Sequence, residues 1–531
     1  MASTPLYLRP NIQVEPLFDS WYAWSHLIAP ATAARNITER HLRIMDSYIS
    51  APSVHADAVK NPKMLGGPFI DYNGGRVEEI AELRDRTKQE RVELVELSIA
   101  ISKLGQLLGN SAKGFSLLSL YPQVPSLLRG CVELVYDLNN HPSFRLIESL
   151  LYKSRYYQRS AQSIVLSVIQ QDHRPFILST PRLKCEDSIH LPIPFDDERI
   201  DWMFRLKQTP GTWHEILDTL EVSSGQRELL RSMLTKQPPP AYEPYLGHGI
   251  RWRYFGHACI LVETADISML FDPVLSYTYE NDISRYTYQD LPEQIDFVLI
   301  THNHQDHLLF ETLLQIRDRV RNFVVPRNGR GALQDPSMKL ILENVGCKNV
   351  IALDDMDSFD FKGGRITGIP FFGEHGDLDI PSKLAYYVRL GQRSLLFLAD
   401  SCNVEPVLYD RVHSITGDAD ALFLGMECDG APFSWVYGPL LTTNIDRKMD
   451  ASRRLAGSNC EQALNIVERF RCKEAYVYAM GQEPWLNYVM SIKYTDSSRP
   501  VVESDRLIQE CQRRGIRAER LFGEKEILLE D

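Results

Sequence analysis

Read as a pattern of apolar and polar positions, the chain changes habit part-way along. Its second half alternates short apolar runs with turn signals. Cys259-Ile260-Leu261-Val262 and Met269-Leu270-Phe271 bracket a polar turn. Phe297-Val298-Leu299-Ile300, Leu395-Leu396-Phe397-Leu398-Ala399, Ala421-Leu422-Phe423-Leu424 and Ala475-Tyr476-Val477-Tyr478 come after them at intervals. Short apolar runs bounded by polar residues predict buried strands. The stretch from Cys460 to Phe470 has helical spacing instead. Strands with helices between them imply sheets covered by helices.

The first half reads as mixed α/β. Asn36-Ile37-Thr38-Glu39 has the form of a cap followed by an acid, and predicts a helix through Tyr48. Gly74-Gly75 precedes one long helical pattern from Val77 to Leu108, with a stop at Gly109-Asn110. Ser163 to Ile169 predicts a buried strand, and Trp213 to Leu220 a short helix. Between the halves stands Gln237-Pro238-Pro239-Pro240-Ala241-Tyr242-Glu243-Pro244. Consecutive prolines exclude helix and favour an extended spacer. The expected organisation is an N-terminal α/β domain over 1–236, a Pro-rich linker over 237–249 and a second α/β domain over 250–531. A chain of 531 residues is too long for one ordinary core, which agrees with that division.

Composition narrows the function. The net charge of −12 argues against a nucleic-acid binder, because phosphate contacts need a basic face. No apolar run reaches membrane-spanning length. Met1 to Pro10 lacks the basic and apolar regions of a secretory signal, so a cytoplasmic location is expected. The nine cysteines are odd in number and form no CxxC pair. Reduced thiols are expected, with neither a disulfide frame nor a cysteine zinc site.

One run carries chemistry. Thr301-His302-Asn303-His304-Gln305-Asp306-His307 places four metal-capable side chains within six residues, directly after a predicted strand. His302 and His304 are two apart, so both rings can face one way. One metal can take this pair, and a second can take Asp306 and His307. Two ions about 3.5–4 Å apart need a bridging group. Asp400, at the tip of Leu395–Ala399, is the candidate. The seven histidines of the first half (26, 41, 55, 141, 173, 190 and 214) do not cluster at ligand spacing.

With Gly256-His257-Ala258 and Phe271-Asp272-Pro273 ahead of it, the run resembles the metallo-β-lactamase superfamily over about residues 250 to 490. The resemblance implies an αβ/βα sandwich with a dinuclear site at its edge, and Asp272 as a group that orients a ligand. His257 reads either as a second such group or as a structural histidine.

The pattern departs from hydrolytic members of that superfamily. Their last histidine would come after Ala475–Tyr478, where this chain reads Ala479-Met480-Gly481-Gln482-Glu483. The preceding ligand slot reads Gly373-Glu374-His375. In an extended strand Glu374 and His375 would point opposite ways, so only one would reach the metals. With Glu374 the set becomes three histidines and three carboxylates, which suits iron or manganese better than a zinc pair.

This set, the chain length and the early Val14-Glu15-Pro16…Trp21-Tyr22-Ala23-Trp24 stretch resemble a narrower family. These are the diiron β-hydroxylases of nonribosomal peptide pathways, typified by the chloramphenicol-pathway aminoacyl β-hydroxylase. The resemblance implies a monooxygenase with two non-haem irons, O2 as cosubstrate and electrons from an external reductase. It implies His302, His304 and Glu374 on one iron, Asp306 and His307 on the other, and Asp400 between them, with Glu374 and Asp400 catalytically essential. It further implies an amino acid tethered by phosphopantetheine to the thiolation (carrier) domain of a synthetase, and a homodimer built on the N-terminal domain. An acidic carrier would need a basic patch, for which Arg453-Arg454 and Arg513-Arg514 are candidates. Met480, Trp485 and Phe433 are candidate pocket residues. The competing reading is a dinuclear hydrolase, of lactonase or phosphodiesterase type, with His375 as ligand.

Overall fold

The computed structural model describes residues 5–530, so the first four residues of the opening stretch lie outside it. The second half folds as two seven-stranded sheets packed face to face. The first sheet runs in the order Val350–Leu353, Val320–Pro326, Ile295–Leu299, Ser268–Phe271, Cys259–Glu263, Ile250–Gly256, Lys525–Leu529. The second runs Ser358–Phe361, Gly364–Pro370, Leu384–Leu390, Arg393–Phe397, Ala421–Gly425, Glu474–Tyr478, Arg517–Arg520. All of the strands expected in this half are present.

Alternation within single strands makes the layers. Leu395 and Phe397 join the core between the sheets, whereas Leu396 and Leu398 join the core beneath the outer helices. Successive side chains of a strand leave on opposite faces, so one apolar run serves two cores. Between the sheets Phe271 stacks on Phe397 with centroids 3.7 Å apart, and Phe397 on Phe423 at 4.8 Å. Helices Val407–Thr416, Cys460–Arg469 and Arg499–Arg513 contribute to the core on the outer face of the second sheet. Asn459 caps the second of these, in a reciprocal box with Gln462.

The first sheet's outer face is covered differently. Helices Phe310–Ile316 and Met338–Asn344 lie there, and so does the N-terminal half. Val298, Ile300, Leu313 and Ile341 share one apolar cluster with Trp21, Trp24, Leu97 and Phe204. The N-terminal half has its own four-stranded antiparallel sheet, Trp21–Tyr22, Ile12–Phe18, Gln162–Val168, Ser188–Leu191. Residues 236 to 249 form no helix or strand and are largely exposed.

Two helix expectations are corrected. Asn36 is no cap: its φ is −63°, and its amide donates to the Thr32 carbonyl one turn back. The helical run opens earlier, at Pro30, which suits a first-turn proline, and reaches Ser50 through a wide turn at Ile37–His41. The long pattern from Val77 is two helices, Val77–Glu90 and Val92–Ser111, broken at Arg91. Arg91 leaves the helical geometry while its guanidinium is held by Asp19 and Gln158. A tertiary ion pair thus overrides local periodicity.

Candidate metal centre

The strand Ile295–Leu299 ends below the histidine run, and Asp272, just past Ser268–Phe271, holds the start of that run in place. Its carboxylate accepts from the Thr301 backbone N–H and hydroxyl, both at 2.7 Å, and from His307 Nδ1 at 2.9 Å. That bond leaves His307 Nε2 free to face Asp400 Oδ2 at 3.0 Å. His302 Nε2 lies 3.2 Å from His304 Nδ1, so the two rings converge as their spacing implies. Glu374 Oε1 lies 3.1 Å from His304 Nδ1. His257 Nε2 meets Asp306 Oδ2 at 3.0 Å.

Three overlapping groups result. His302, His304 and Glu374 present donor atoms within 4.8 Å of one another, as do His302, His307 and Asp400, and His257, Asp306 and His307. All six residues expected as ligands are buried together. Asp400 Oδ1 is buried with no hydrogen-bond partner among the described residues, an acceptor that a metal ion would satisfy. Burial, reinforced by Asp400 and Asp306, pushes the Glu374 carboxyl well above its usual range. Burial holds His302 well below the ordinary imidazole value and His304 at about 4, both as neutral donors. Burial alone would do the same to His307, but Asp400, Asp272 and Asp306 together raise it well above. Crowded carboxylates beside the neutral imidazoles of His302 and His304 fit a pair of metal ions.

The slot at Glu374 and His375 is corrected in one respect. The segment is a turn and not a strand: Gly373 has φ 80° and Glu374 φ 65°. A Cβ on Gly373 would lie 2.4 Å from the Cβ of Cys402, so only glycine fits. The turn aims the Glu374 carboxylate at the site while His375 stacks on His304 at 4.6 Å, its Nε2 buried without a partner. Glu374, and not His375, belongs to the three-residue groups. Where the last histidine of hydrolytic members would stand, the Ala479 N–H donates to the His257 carbonyl, and Glu483 is buried against the Tyr254 hydroxyl. His413 pairs with Asp418 and takes no part in the three-residue groups.

Comparison with known proteins places the chain in a family. Residues 7–238 match the model of the diiron non-heme beta-hydroxylase N-terminal domain, and residues 251–414 that of a beta-lactamase superfamily domain. The chain is 39% identical, over 97% of its length and 98% of the relative's, to the 4-amino-L-phenylalanyl-(CmlP-peptidyl-carrier-protein) 3-hydroxylase of Streptomyces venezuelae. The chain belongs to the diiron non-heme β-hydroxylases. The crystal structure of CmlA, a diiron beta-hydroxylase from Streptomyces venezuelae, superposes with a TM-score of 0.93 at 38% identity, covering 99% of this chain and all of that one. A variant of that enzyme superposes with a TM-score of 0.91. The chain is therefore an enzyme of this family, a diiron β-hydroxylase on a metallo-β-lactamase fold, and not a hydrolase.

The β-hydroxylase site also uses residues that sequence reading passed over. The ring Nε2 of His304 meets the Tyr437 hydroxyl at 2.9 Å, and His26 of the N-terminal half packs against Tyr437. Burial drives His26 down to about 3, so it stays neutral there. Ser25 donates to the Asn303 carbonyl. None of these carries a motif; the fold alone brings them in.

The centre opens into a cleft of about 480 Å³. His304, Asp306, Glu374 and Asp400 form its floor, with Glu427 and Tyr494 beside them. Its apolar lining includes Met64, Phe69, Trp435 and Met490. The expected pocket residues are elsewhere: Met480 lies in the core under the outer helices, Trp485 packs beneath Arg285, and Phe433 stacks on Arg453. Of the expected basic residues, Arg454 is on the cleft rim, paired with Asp429. Arg453 is spent on the Gly376 carbonyl, and Arg513 and Arg514 pair with Glu510 and Glu468.

Proposed function

We propose that the chain hydroxylates the β-carbon of an aminoacyl group held as a thioester on the carrier domain of a nonribosomal peptide synthetase, consuming O2 and electrons from an external reductase. In this reading His302, His304 and Glu374 would hold one iron and Asp306 and His307 the other, with Asp400 available to both. The observation that carries it is the Glu374 turn, which puts a carboxylate where a hydrolytic site would need a histidine. Once bound, the iron pair supplies the O2 chemistry needed to break an unactivated C–H bond. The protein supplies the rest. Asp272 and Tyr437 orient His307 and His304. Burial keeps His302 and His304 neutral and ready to ligate. The apolar wall excludes water around the reacting carbon.

A tethered substrate suits an open cleft that must admit only an arm. Lys63, on the cleft rim, and the nearby Lys493 make no ion pair among the described residues, which suits an acidic partner. Phe115, Leu118 and Leu138 of the N-terminal half are exposed apolar side chains, which supports self-association as a homodimer through that half. The test is reconstitution with ferrous iron, a chemical or protein reductant and a carrier domain loaded with an amino acid. A product heavier by one oxygen, labelled from 18O2, is expected. Thioester cleavage without oxygen incorporation would overturn the reading.

A further inference from the structure

Resting on that reading, one further residue of the cleft receives a task. Glu427 lies two residues past the strand Ala421–Gly425. That strand ends against the metal centre: a Cβ on Gly425 would lie 2.7 Å from Asp400 Oδ1. Glu427 lines the same cleft as His304, Asp306, Glu374 and Asp400 but belongs to none of the ligand groups. Its carboxylate forms no ion pair among the described residues, although Arg454 and Lys63 line the same cleft. Tyr494 lines the same cleft, and its buried hydroxyl has no hydrogen-bond partner among the described residues. An acid next to three more acids, with no cation assigned to it, is costly unless something cationic arrives.

We infer that Glu427, with the Tyr494 hydroxyl, binds the α-ammonium of the tethered aminoacyl group and so orients its β-carbon toward the metal centre. The chemistry of the substrate matches. An α-aminoacyl thioester carries one fixed cation, one bond from the carbon that bears the β-carbon. Holding that cation at the floor of the cleft places the side chain against Trp435 and Met490. Burial and the neighbouring Glu374, Asp400 and Asp306 raise Glu427 well above its usual range. Cations on those three ligands remove that repulsion, and the ammonium supplies the counter-charge. A free amine thereby becomes a requirement, so hydroxylation precedes any reaction that acylates that nitrogen.

The test compares the iron-loaded full chain with its Glu427→Gln variant on two loaded carriers. One bears L-phenylalanyl and the other 3-phenylpropionyl, which lacks the amine. Hydrogen bonds to charged groups are worth about 1.5–3 kcal/mol, so KM for the aminoacyl carrier should rise roughly 10- to 100-fold in the variant. KM for the amine-free carrier should be the same for both proteins, with iron content unchanged. Equal losses on both carriers, or none on the aminoacyl carrier, would overturn the inference and leave the hydroxylase reading intact. No oxygen incorporation by the unmodified chain on either carrier would instead sink the hydroxylase reading itself.

Discussion

At the scale of single residues, the site is a problem in charge. Glu374, Asp400 and Asp306 are crowded together with only His307 and the more distant Lys383 to offset them, and Asp400 keeps one oxygen unpaired among the described residues. Replacing Glu374 by Ala should lower bound iron toward one per chain and abolish hydroxylation, as read by metal analysis beside product mass. Two irons and full turnover in E374A would remove Glu374 from the ligand set. Asp272 is a different case, since it touches no cleft and holds three donors. Asp272→Ala strands the Thr301 N–H and His307 Nδ1, each buried. A loss of roughly 2–5 kcal/mol is expected, measured as the shift in denaturation midpoint of the metal-free protein. Lys207 offers a pH signature away from the metals. Burial between the halves drives it from 10.5 down to about 7, with the Gln315 side chain as acceptor. Between those values the unfolded chain holds a proton that the folded one lacks, so stability rises with pH across that window. Lys207→Met should flatten the rise in denaturation midpoint from pH 7 to 10; an unchanged slope would contradict the assignment.

At the scale of elements, strand ends and left-handed turns do the positioning. Asp272, Glu374 and Ala399 all have positive φ, at 36°, 65° and 44°. Such conformations cost on the order of 1–3 kcal/mol each in non-glycine residues and persist where the surroundings enforce them. The turn at Gly373 shows the constraint most sharply, because Cys402 fills the space a side chain would need. Gly373→Ala should preserve the sheets, as judged by circular dichroism, while lowering iron occupancy and turnover at least tenfold through displacement of Glu374. Wild-type occupancy in that variant would mean that the turn does not set the ligand. The helix expectations failed at this scale too. Asn36 and Arg91 sit in patterns that read locally as cap and helix, yet Thr32 and Asp19 claim their side chains.

At the scale of the whole molecule, the two halves share one core. The cluster running from Trp21 and Leu97 to Val298 and Leu313 crosses the Pro-rich stretch. A buried ionic knot crosses it as well. Arg174 donates to both Glu15 and Glu311 at 2.7 Å, and the Tyr22 and Tyr277 hydroxyls donate to Glu311. Removing one partner of such a knot leaves uncompensated charge, at about 3–5 kcal/mol. Residues 250–531 expressed alone should therefore be insoluble or molten, by light scattering and near-ultraviolet circular dichroism. A soluble, cooperatively folded fragment would show that the N-terminal half is an accessory.

The sequence by itself determined six strands of the second half, the histidine run, Asp400 at a strand tip and the pair Glu374-His375 as the alternatives for one slot. These depend on local spacing: two residues per strand repeat, ligands within one loop, and apolar runs long enough to be buried. The tertiary structure alone decided which of Glu374 and His375 faces the site, because a left-handed turn, and not strand alternation, sets their directions. It also decided that His26, Tyr437, Glu427 and Tyr494 surround the centre and that Met480, Trp485 and Phe433 do not. Those residues come from segments distant in sequence, and no spacing rule links them. What joins them is the loops at the end of the second sheet, which carry Glu427, Tyr437 and Tyr494, together with the N-terminal half, which brings His26 against Tyr437.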